Sequence, residues 1–254
     1  MIKNLKISLL FLLGIPYSML AQSSFSHEIG GFVGINAMQS DFGTKSPIGS
    51  TGFGLGIVHY MNFAYNSECN CYNSPTFFNN HFKVRTELSY NSTKFEYNDK
   101  WTDGNSVLAQ QLKALKGQSD VTNIGMQLEY YFLGVREMAH GNGSFSPYVG
   151  LGMQFSVFKT DTHSELGKLN TPISTPVKYY GAWSDGGGST FSTVANIGTR
   201  YKLSRNSDLF AEVRTQYYFS DWVDGLKPDA AIYTENKSKD MLTQLNFGYI
   251  YYLN

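Results

Sequence analysis

Three residues suited to acyl-transfer chemistry lie close together in this sequence: Asp161, His163 and Ser164. A serine activated by a histidine, which an aspartate orients, is the arrangement of serine hydrolases. Side chains so close in sequence seldom form a working triad, and polar loop residues are the simpler interpretation. The sequence therefore predicts no enzymatic activity and no catalytic residue. A lipid-modifying enzyme remains the second alternative.

The two cysteines, Cys69 and Cys71, are separated only by Asn70. A disulfide between them would close too small a ring to stabilise a fold. They could form a strained, reducible pair, bind a soft metal or pair with other molecules. No further cysteine or nearby histidine cluster completes four ligands, so no metal-binding residue is assigned.

Glycine-rich stretches suggest nucleotide binding but lack its other requirements. Gly52, Gly54 and Gly56 alternate within a strand pattern and open no helix. Inward glycines that relieve crowding explain them better. The stretch 185–189 lacks the Lys-Ser/Thr of a phosphate cradle, and the five histidines are scattered. We therefore expect no cofactor and no nucleotide.

The composition favours β-strands and excludes some partners. The 20 Lys and Arg residues balance 20 Asp and Glu residues, which gives no reason to propose nucleic acid. Aromatic residues make up 15% of the chain, mostly Tyr and Phe. After residue 21, no apolar run reaches the roughly 20 residues of a membrane-spanning helix.

The first residues have the features of a cleavable signal peptide. Lys3 and Lys6 precede a short apolar run over 7–15, and Ala21-Gln22 is a plausible cleavage junction. The sequence thus predicts export, with a signal peptide over 1–21 and a mature domain over 22–254.

Eight segments alternate between an apolar and a polar face with a period of two. The segments are 26–37, 52–63, 81–91, 121–132, 149–157, 191–201, 209–219 and 244–253. The polar face carries eight charges: Glu28, Lys83, Arg85, Glu87, Glu129, Arg200, Glu212 and Arg214. Five apolar residues break the polar face: Phe32, Val58, Val194, Phe210 and Ile250. Four acids against four bases indicate a neutral internal network.

Segment length and aromatic ends place the apolar face in lipid. Tilted strands need roughly 9–11 residues to cross a bilayer. Aromatic clusters at 130–132, 217–222 and 249–252 are typical of interfacial girdles. Because lipid cannot hydrate an open edge, the strands must close. The predicted fold class is thus all-β, an eight-stranded antiparallel transmembrane β-barrel. Its expected location is the cell outer membrane, and its expected partner is outer-membrane lipid. A secreted soluble β-protein is the alternative.

Loop lengths predict an orientation. With the N-terminus in the periplasm, the outer loops are 38–51, 92–120, 158–190 and 220–243, and the inner turns are 64–80, 133–144 and 202–206. Long outer loops and short inner turns are characteristic of such barrels. Leu108, Leu112 and Leu115 predict a short amphipathic helix on the barrel rim.

Several stretches resemble an uncharacterised family of barrels from Bacteroidota. They are SDFG (40–43), TGFGLGIVHYMNFAY (51–65), ECNCY (68–72), FFNNHFKVRTE (77–87), YKLSRNSDLFAEVRTQYYFSDWVDGL (201–226) and LNFGYIYYL (245–253). Some members carry a glutamate-dehydrogenase label, but that reaction needs a dinucleotide-binding α/β domain. A looser similarity links the chain to the small barrel of the type IX secretion machinery.

These observations predict a non-enzymatic barrel with a structural, assembly or membrane-anchoring role in the cell envelope, with secretion as one setting for it. Envelope or secretion-complex proteins are its expected protein partners. The rim around Tyr217 to Trp222 and the turn with Cys69 and Cys71 are the candidate contact surfaces. A narrow, porin-like channel for small solutes is the first alternative.

Overall fold

A computed structural model describes residues 26–42, 50–63, 76–97, 102–135, 143–183, 186–227, 229, 232 and 239–253. The predicted signal peptide over 1–21 and the cysteines at 69 and 71 lie outside the described residues, so those predictions stay predictions.

Eight strands form one closed, antiparallel barrel, as the sequence predicts. They are β1 (Ser26–Gln39), β2 (Thr51–Asn62), β3 (Phe82–Glu96), β4 (Leu115–Tyr131), β5 (Phe145–Ser164), β6 (Gly186–Ser204), β7 (Ser207–Tyr218) and β8 (Met241–Leu253). Each strand pairs with its neighbours in the chain, and β1 pairs with β8 from His27–Leu253 to Gln39–Met241. No sheet edge is therefore left open along that seam.

Alternation along the strands gives the barrel wall an apolar outside and a charged inside. Val33, Ile57 and Leu151 point outward and are 58 to 65% exposed. All eight predicted polar-face charges are buried inside, none more than 3% exposed. A soluble protein would bury the apolar face, because its burial drives folding in water. The exposed apolar band instead makes this a transmembrane barrel.

The two ends of the barrel differ, and we name them by their connections. The turn end carries connections 63–81, 132–144 and 205–206. The loop end carries loops L1 (40–50), L2 (97–114), L3 (165–185) and L4 (219–240). The loop end carries longer connections on average, but the turn-end connection 63–81 is as long as the loops and is an exception to the predicted asymmetry. The side of the membrane that each end meets stays a prediction.

Four strands extend further toward the loop end than the sequence predicts. β3 runs to Glu96, β4 begins at Leu115, β5 runs to Ser164 and β6 begins at Gly186, so much of the predicted loops 92–120 and 158–190 is strand. Past the apolar band, the outward positions become charged and exposed, as at Lys159. The inward positions, such as Phe158, remain buried. A polar outer face makes such strands resemble loops in sequence.

Two short helices flank the wall. α1 (Phe77–His81) lies at the turn end, and the Thr76 hydroxyl caps it. α2 (Val107–Ala114) confirms the predicted helix in L2, and the Ser106 hydroxyl accepts a hydrogen bond from the Ala109 amide. No helix in the described part of the chain is long and apolar enough to cross a membrane.

A charged side chain in the middle of the apolar band should lower the stability of the barrel. Leu151→Arg places a guanidinium in hydrocarbon and should destabilise the barrel by about 2–4 kcal/mol. Urea titration of the protein folded into lipid vesicles measures this loss. The matched control, Val107→Arg on exposed α2, should change stability little. Equal effects of the two substitutions would contradict the membrane assignment of the wall.

Candidate functional site

The barrel interior holds a buried ion network centred on Arg85. Its guanidinium lies 2.8 Å from Glu87, 3.2 Å from Glu129 and 2.7 Å from Glu212. All four side chains are fully buried. One guanidinium has five N–H donors in a planar fork, so it can serve several carboxylates at once. Strands β3, β4 and β7 are thereby joined across the lumen.

A second group of charges continues the network. The Glu28 carboxylate accepts hydrogen bonds from Lys83 and Arg200, each at 2.6 Å. Arg200 also lies 3.5 Å from Glu129, which Arg85 contacts. Arg214 lies 2.5 Å from Glu87. The charges thus form one connected set, and each carboxylate faces at least one base.

The sequence undercounts this network by one pair. Lys202 lies 3.3 Å from Asp208, and both are buried inside the barrel. The predicted turn at 202–206 removed Lys202 from the strand, but β6 and β7 continue to a tight connection at 205–206. Among the described lumen residues, five acids then oppose five bases, so charge balance persists.

Aromatic and aliphatic side chains fill the lumen beside the charges. Four of the five predicted intruders form a buried cluster with Tyr60; its members are Phe32, Val58, Tyr60, Phe210 and Ile250. The Arg200 guanidinium lies 4.1 Å from the centroid of the Tyr60 ring, a cation–π distance. A Cβ at Gly56 would lie 2.6 Å from the Phe32 ring, so glycine is required there. This confirms the predicted role of the inward glycines.

Amides and hydroxyls fill the lumen toward the loop end. The Gln216 amide donates to Asn123 and Ser192, both at 2.9 Å. Ser156 donates to Asn123 at 2.7 Å, and Gln154 donates to Glu87 in the ion network at 3.3 Å. Since β4 to β7 supply these amides and hydroxyls, the polar layer ties one half of the barrel together.

The loops fold into an apolar cap above the polar layer. Its buried members are Met38, Phe42, Phe95, Leu112, Leu115, Val121, Phe158, Tyr179, Ala182, Tyr218, Val223, Leu226 and Leu242. Phe42 lies centrally, with ring centroids 5.3 Å from Phe95 and 5.5 Å from Trp183. L3 and L4 also pair, since the Lys227 amide donates to Ala182 at 2.9 Å. The described cap residues lie over the loop end of the lumen.

Two buried aspartates hold the cap loops in place. The Asp224 carboxylate accepts from the amides of Phe42 in L1 and Leu226 in L4, at 3.1 and 2.8 Å. The Asp240 carboxylate accepts from the amides of Val223 and Asp224. Burial raises the pKa of Asp224 to about 7. Burial, with Asp224 and Asp221 nearby, raises the pKa of Asp240 well above its usual range.

The top of the cap carries an exposed apolar patch, which we call the tip: Val107, Leu108, Ile173 and Val177, 45 to 76% exposed. The Gln111 side chain joins its two halves, because its amide donates to the Pro172 carbonyl at 2.7 Å. The predicted rim helix thus packs on the cap through Leu112 but leaves Leu108 exposed. Exposed apolar patches of this kind mark interaction sites.

The residues with catalytic potential are not brought together. Asp161 and His163 lie on β5 and point outward, whereas Ser164 points inward and is buried. The Ser164 hydroxyl donates to the Ser174 carbonyl at 3.3 Å. Within the described ranges, no three His, Cys, Asp or Glu side chains group as metal ligands. The acyl-transfer hypothesis therefore has no assembled site.

The residues of the predicted contact surface at Tyr217 to Trp222 point to opposite sides of the barrel wall. Tyr217 and Phe219 point outward and are exposed, whereas Tyr218 is fully buried in the cap. Trp222 is partly buried and packs against the cap. Tyr217 and Phe219 therefore face outward beside the loop end, whereas Tyr218 and Trp222 belong to the cap.

Sequence reasoning missed one polar group on the outer wall. His27 and His59 stack with ring centroids 5.2 Å apart, and His27 Nδ1 lies 3.1 Å from His59 Nε2. His59 Nδ1 lies 3.3 Å from the Thr86 hydroxyl. All three residues occupy outward positions of adjacent strands. The sequence signal for this group was the presence of polar residues at positions of the apolar face.

Removing Arg85 should destabilise the barrel strongly. Arg85→Met leaves three buried carboxylates without a shared base, a loss of about 3–5 kcal/mol. Urea titration in vesicles tests this. The matched control Lys116→Met breaks an exposed pair with Glu165 at 2.7 Å and should cause no measurable change. A loss at Arg85 no larger than at Lys116 would refute a structural role for the network.

The cap should loosen as pH rises. An ordinary aspartate ionises near pH 4, but folded Asp224 keeps its proton up to about pH 7. The folded state therefore binds more protons between these values, and the stability that this provides is lost as pH rises from about 4 to about 7. Proteolysis of the cap should be faster at pH 8 than at pH 5.

Asp224→Asn should weaken this pH dependence, because an amide cannot ionise, but should not abolish it, because Asp240 remains. The control Asp161→Asn, on the exposed outer wall, should preserve it. The same pH dependence in Asp224→Asn and the unaltered protein would exclude Asp224 as its source.

Comparison with known proteins gives likenesses of fold. No protein-family model matches the chain, and no curated protein matches it. Solved structures include Ail, the attachment invasion locus protein of Yersinia pestis, at 15% identity over 91% of this chain and 100% of that chain, TM-score 0.42. Neisserial surface protein A has 14% identity over 89% and 96%, TM-score 0.45.

A major outer membrane protein from Thermus thermophilus has 11% identity over 89% of this chain and 99% of that chain, TM-score 0.47. The closed ring of eight antiparallel strands is the architecture of small outer-membrane β-barrels. The predicted place of the chain in a Bacteroidota family, with a looser link to the type IX secretion barrel, stays a prediction.

Proposed function

We propose that this protein resides in the outer membrane as a closed, non-enzymatic barrel that anchors a folded cap for assembly with other envelope proteins. The observation that carries the proposal is the filled lumen. Ion pairs and aromatic rings share one level, amides and hydroxyls lie above them, and the cap covers the loop end. Eight strands leave an interior just wide enough for side chains, which favours an anchor over a channel.

The tip is the proposed contact surface for protein partners. Two of its apolar residues lie on α2 and two on L3, and the Gln111 hydrogen bond to Pro172 ties these two segments together. Interfaces of moderate affinity are centred on such apolar groups with a polar rim. Lys113 and Lys168, both exposed, supply part of that rim. Secretion-associated proteins are among the partners that the proposal includes.

Purified protein in planar bilayers should show no conductance steps, because side chains fill the lumen. The double variant Phe32→Gly, Phe210→Gly, which removes two rings that cover Gly56 and Gly248, should also show none, because the polar layer and the cap remain. A porin in the same bilayer shows that the assay detects an open barrel. Regular steps from the unaltered protein would support the channel alternative and refute the anchor.

The double variant Val107→Ser, Ile173→Ser should weaken partner binding without unfolding the barrel, since both side chains are about 70% exposed. Crosslinking in intact cells, followed by purification, should lose a discrete crosslinked species that the unaltered protein forms. The control Lys94→Ser changes an exposed charge on the wall and should retain it. Identical crosslinked species in all three proteins would exclude the tip as the contact surface.

A further inference from the structure

A groove runs along the outer wall where β8, β1, β2 and β3 meet. It encloses about 920 Å³. Its outward-facing lining includes Gly31, Val33, Leu55, Ile57, Leu88 and Tyr249. Because this wall lies in the exposed apolar band, lipid covers it in a membrane. The groove is therefore a place where a lipid chain meets a concave rather than a convex surface.

Gly31 forms the floor of the groove, and packing does not require a glycine there. A Cβ at Gly31 would meet only the Gly56 carbonyl oxygen, at 3.6 Å, an ordinary van der Waals contact. By contrast, a Cβ at inward-facing Gly30 would lie 2.6 Å from the Tyr249 carbonyl oxygen. Gly31 is thus an outward position in which a side chain would fit but none is present, which keeps the groove open.

A second groove of about 470 Å³ continues toward the turn end and shares Ile57 and Leu88 with the first. Its lining includes His59 and Thr86. The Thr86 hydroxyl donates to the His59 carbonyl at 3.3 Å, and His59 Nδ1 lies 3.3 Å from the same hydroxyl. His59 Nε2 lies 3.1 Å from His27 Nδ1. His59 thus lines the second groove and holds His27 beside it.

The imidazole pair lies toward the turn end of the outer wall. His27 is the second residue of β1 and pairs with Leu253, the last residue of β8, at the turn end. From His59 to Leu55, four residues at about 3.3 Å each span roughly 13 Å along the strand, so the pair and the groove over Gly31 are separated by a length that an acyl chain can bridge. Polar residues within a membrane span are costly and usually serve a function.

We propose that this face binds one membrane phospholipid specifically, with an acyl chain in the groove over Gly31 and the ester and phosphate oxygens beside His27 and His59. Apolar walls match the chain, and the polar end of the groove matches the part of the lipid that hydrocarbon excludes. The site is independent of the closed lumen and of the tip, so it stands whether or not the barrel anchors partners.

Photo-crosslinking in nanodiscs tests the site. The discs contain phosphatidylethanolamine and phosphatidylglycerol, with a fraction of phosphatidylethanolamine that bears a diazirine on one acyl chain. After irradiation, peptide mass spectrometry should place the lipid adduct on β1, β2 and β8. Gly31→Leu should reduce that adduct about tenfold, the loss expected when about two methylenes are displaced.

Matched variants separate the site from general lipid contact. Ala195→Leu makes a similar enlargement on the exposed outside of β6 and should leave the adduct unchanged. His59→Leu should reduce the adduct, whereas Thr215→Val, an outward polar change on β7, should not. Gel mobility of unheated samples confirms that each variant is folded.

Three results would overturn the proposal. Adducts spread evenly over all strands would show ordinary surrounding lipid. An adduct that Gly31→Leu leaves unchanged would show that the groove does not hold the chain. A covalent dimer that Leu55→Cys forms and the unaltered protein, with Cys69 and Cys71, does not form would show that a second copy covers the face.

Discussion

The hydrocarbon of the bilayer is the constraint on which the structure depends, because it offers neither hydrogen bonds nor solvation of charge. Every backbone amide on the wall must therefore pair within the sheet, and the sheet must close. The β1–β8 seam supplies that closure over thirteen registered pairs. Closure in turn directs the polar face of every strand inward, where charges have no bulk water and must satisfy one another.

Neutrality of the lumen follows from that constraint, and so does its filling. The Arg85 guanidinium contacts three carboxylates. Loss of any one of these acids would leave the positive charge of Arg85 less compensated. The aromatic cluster around Tyr60 excludes water from the same level and strengthens the ion pairs, because attraction between charges grows as the local dielectric falls. Charge pairing and apolar packing therefore reinforce each other.

The buried acids of the cap are accommodated differently from the acids of the lumen. Asp224 and Asp240 are buried among backbone amides, and both have raised pKa values. Paired bases neutralise the lumen acids, whereas burial raises the pKa of these two. The stability of the cap consequently falls as pH rises. One chain thus combines an ion-paired barrel with a cap whose stability depends on pH.

Period-two patterning was sufficient to predict the barrel, its eight strands, the inward charges and the function of Gly56, because lipid enforces strict alternation. It failed where lipid no longer acts. Past the apolar band, Lys159 and Asp161 face water on strands that the sequence shows as loop, and Asp161, His163 and Ser164 alternate across β5 instead of meeting. Lys202 was lost because turn length is set by pairing, not by composition.

The groove over Gly31 could not be predicted for a related reason. Sequence shows that a residue is a glycine, but only packing shows whether glycine is needed. At Gly56 the Phe32 ring requires it; at Gly31 a side chain would fit. Likewise, His27 and His59 are distant in sequence, and their contact depends on the β1–β2 register. Closure and packing account for the residues of the lumen. They do not account for Gly31 or for the contact between His27 and His59, which lipid binding explains better.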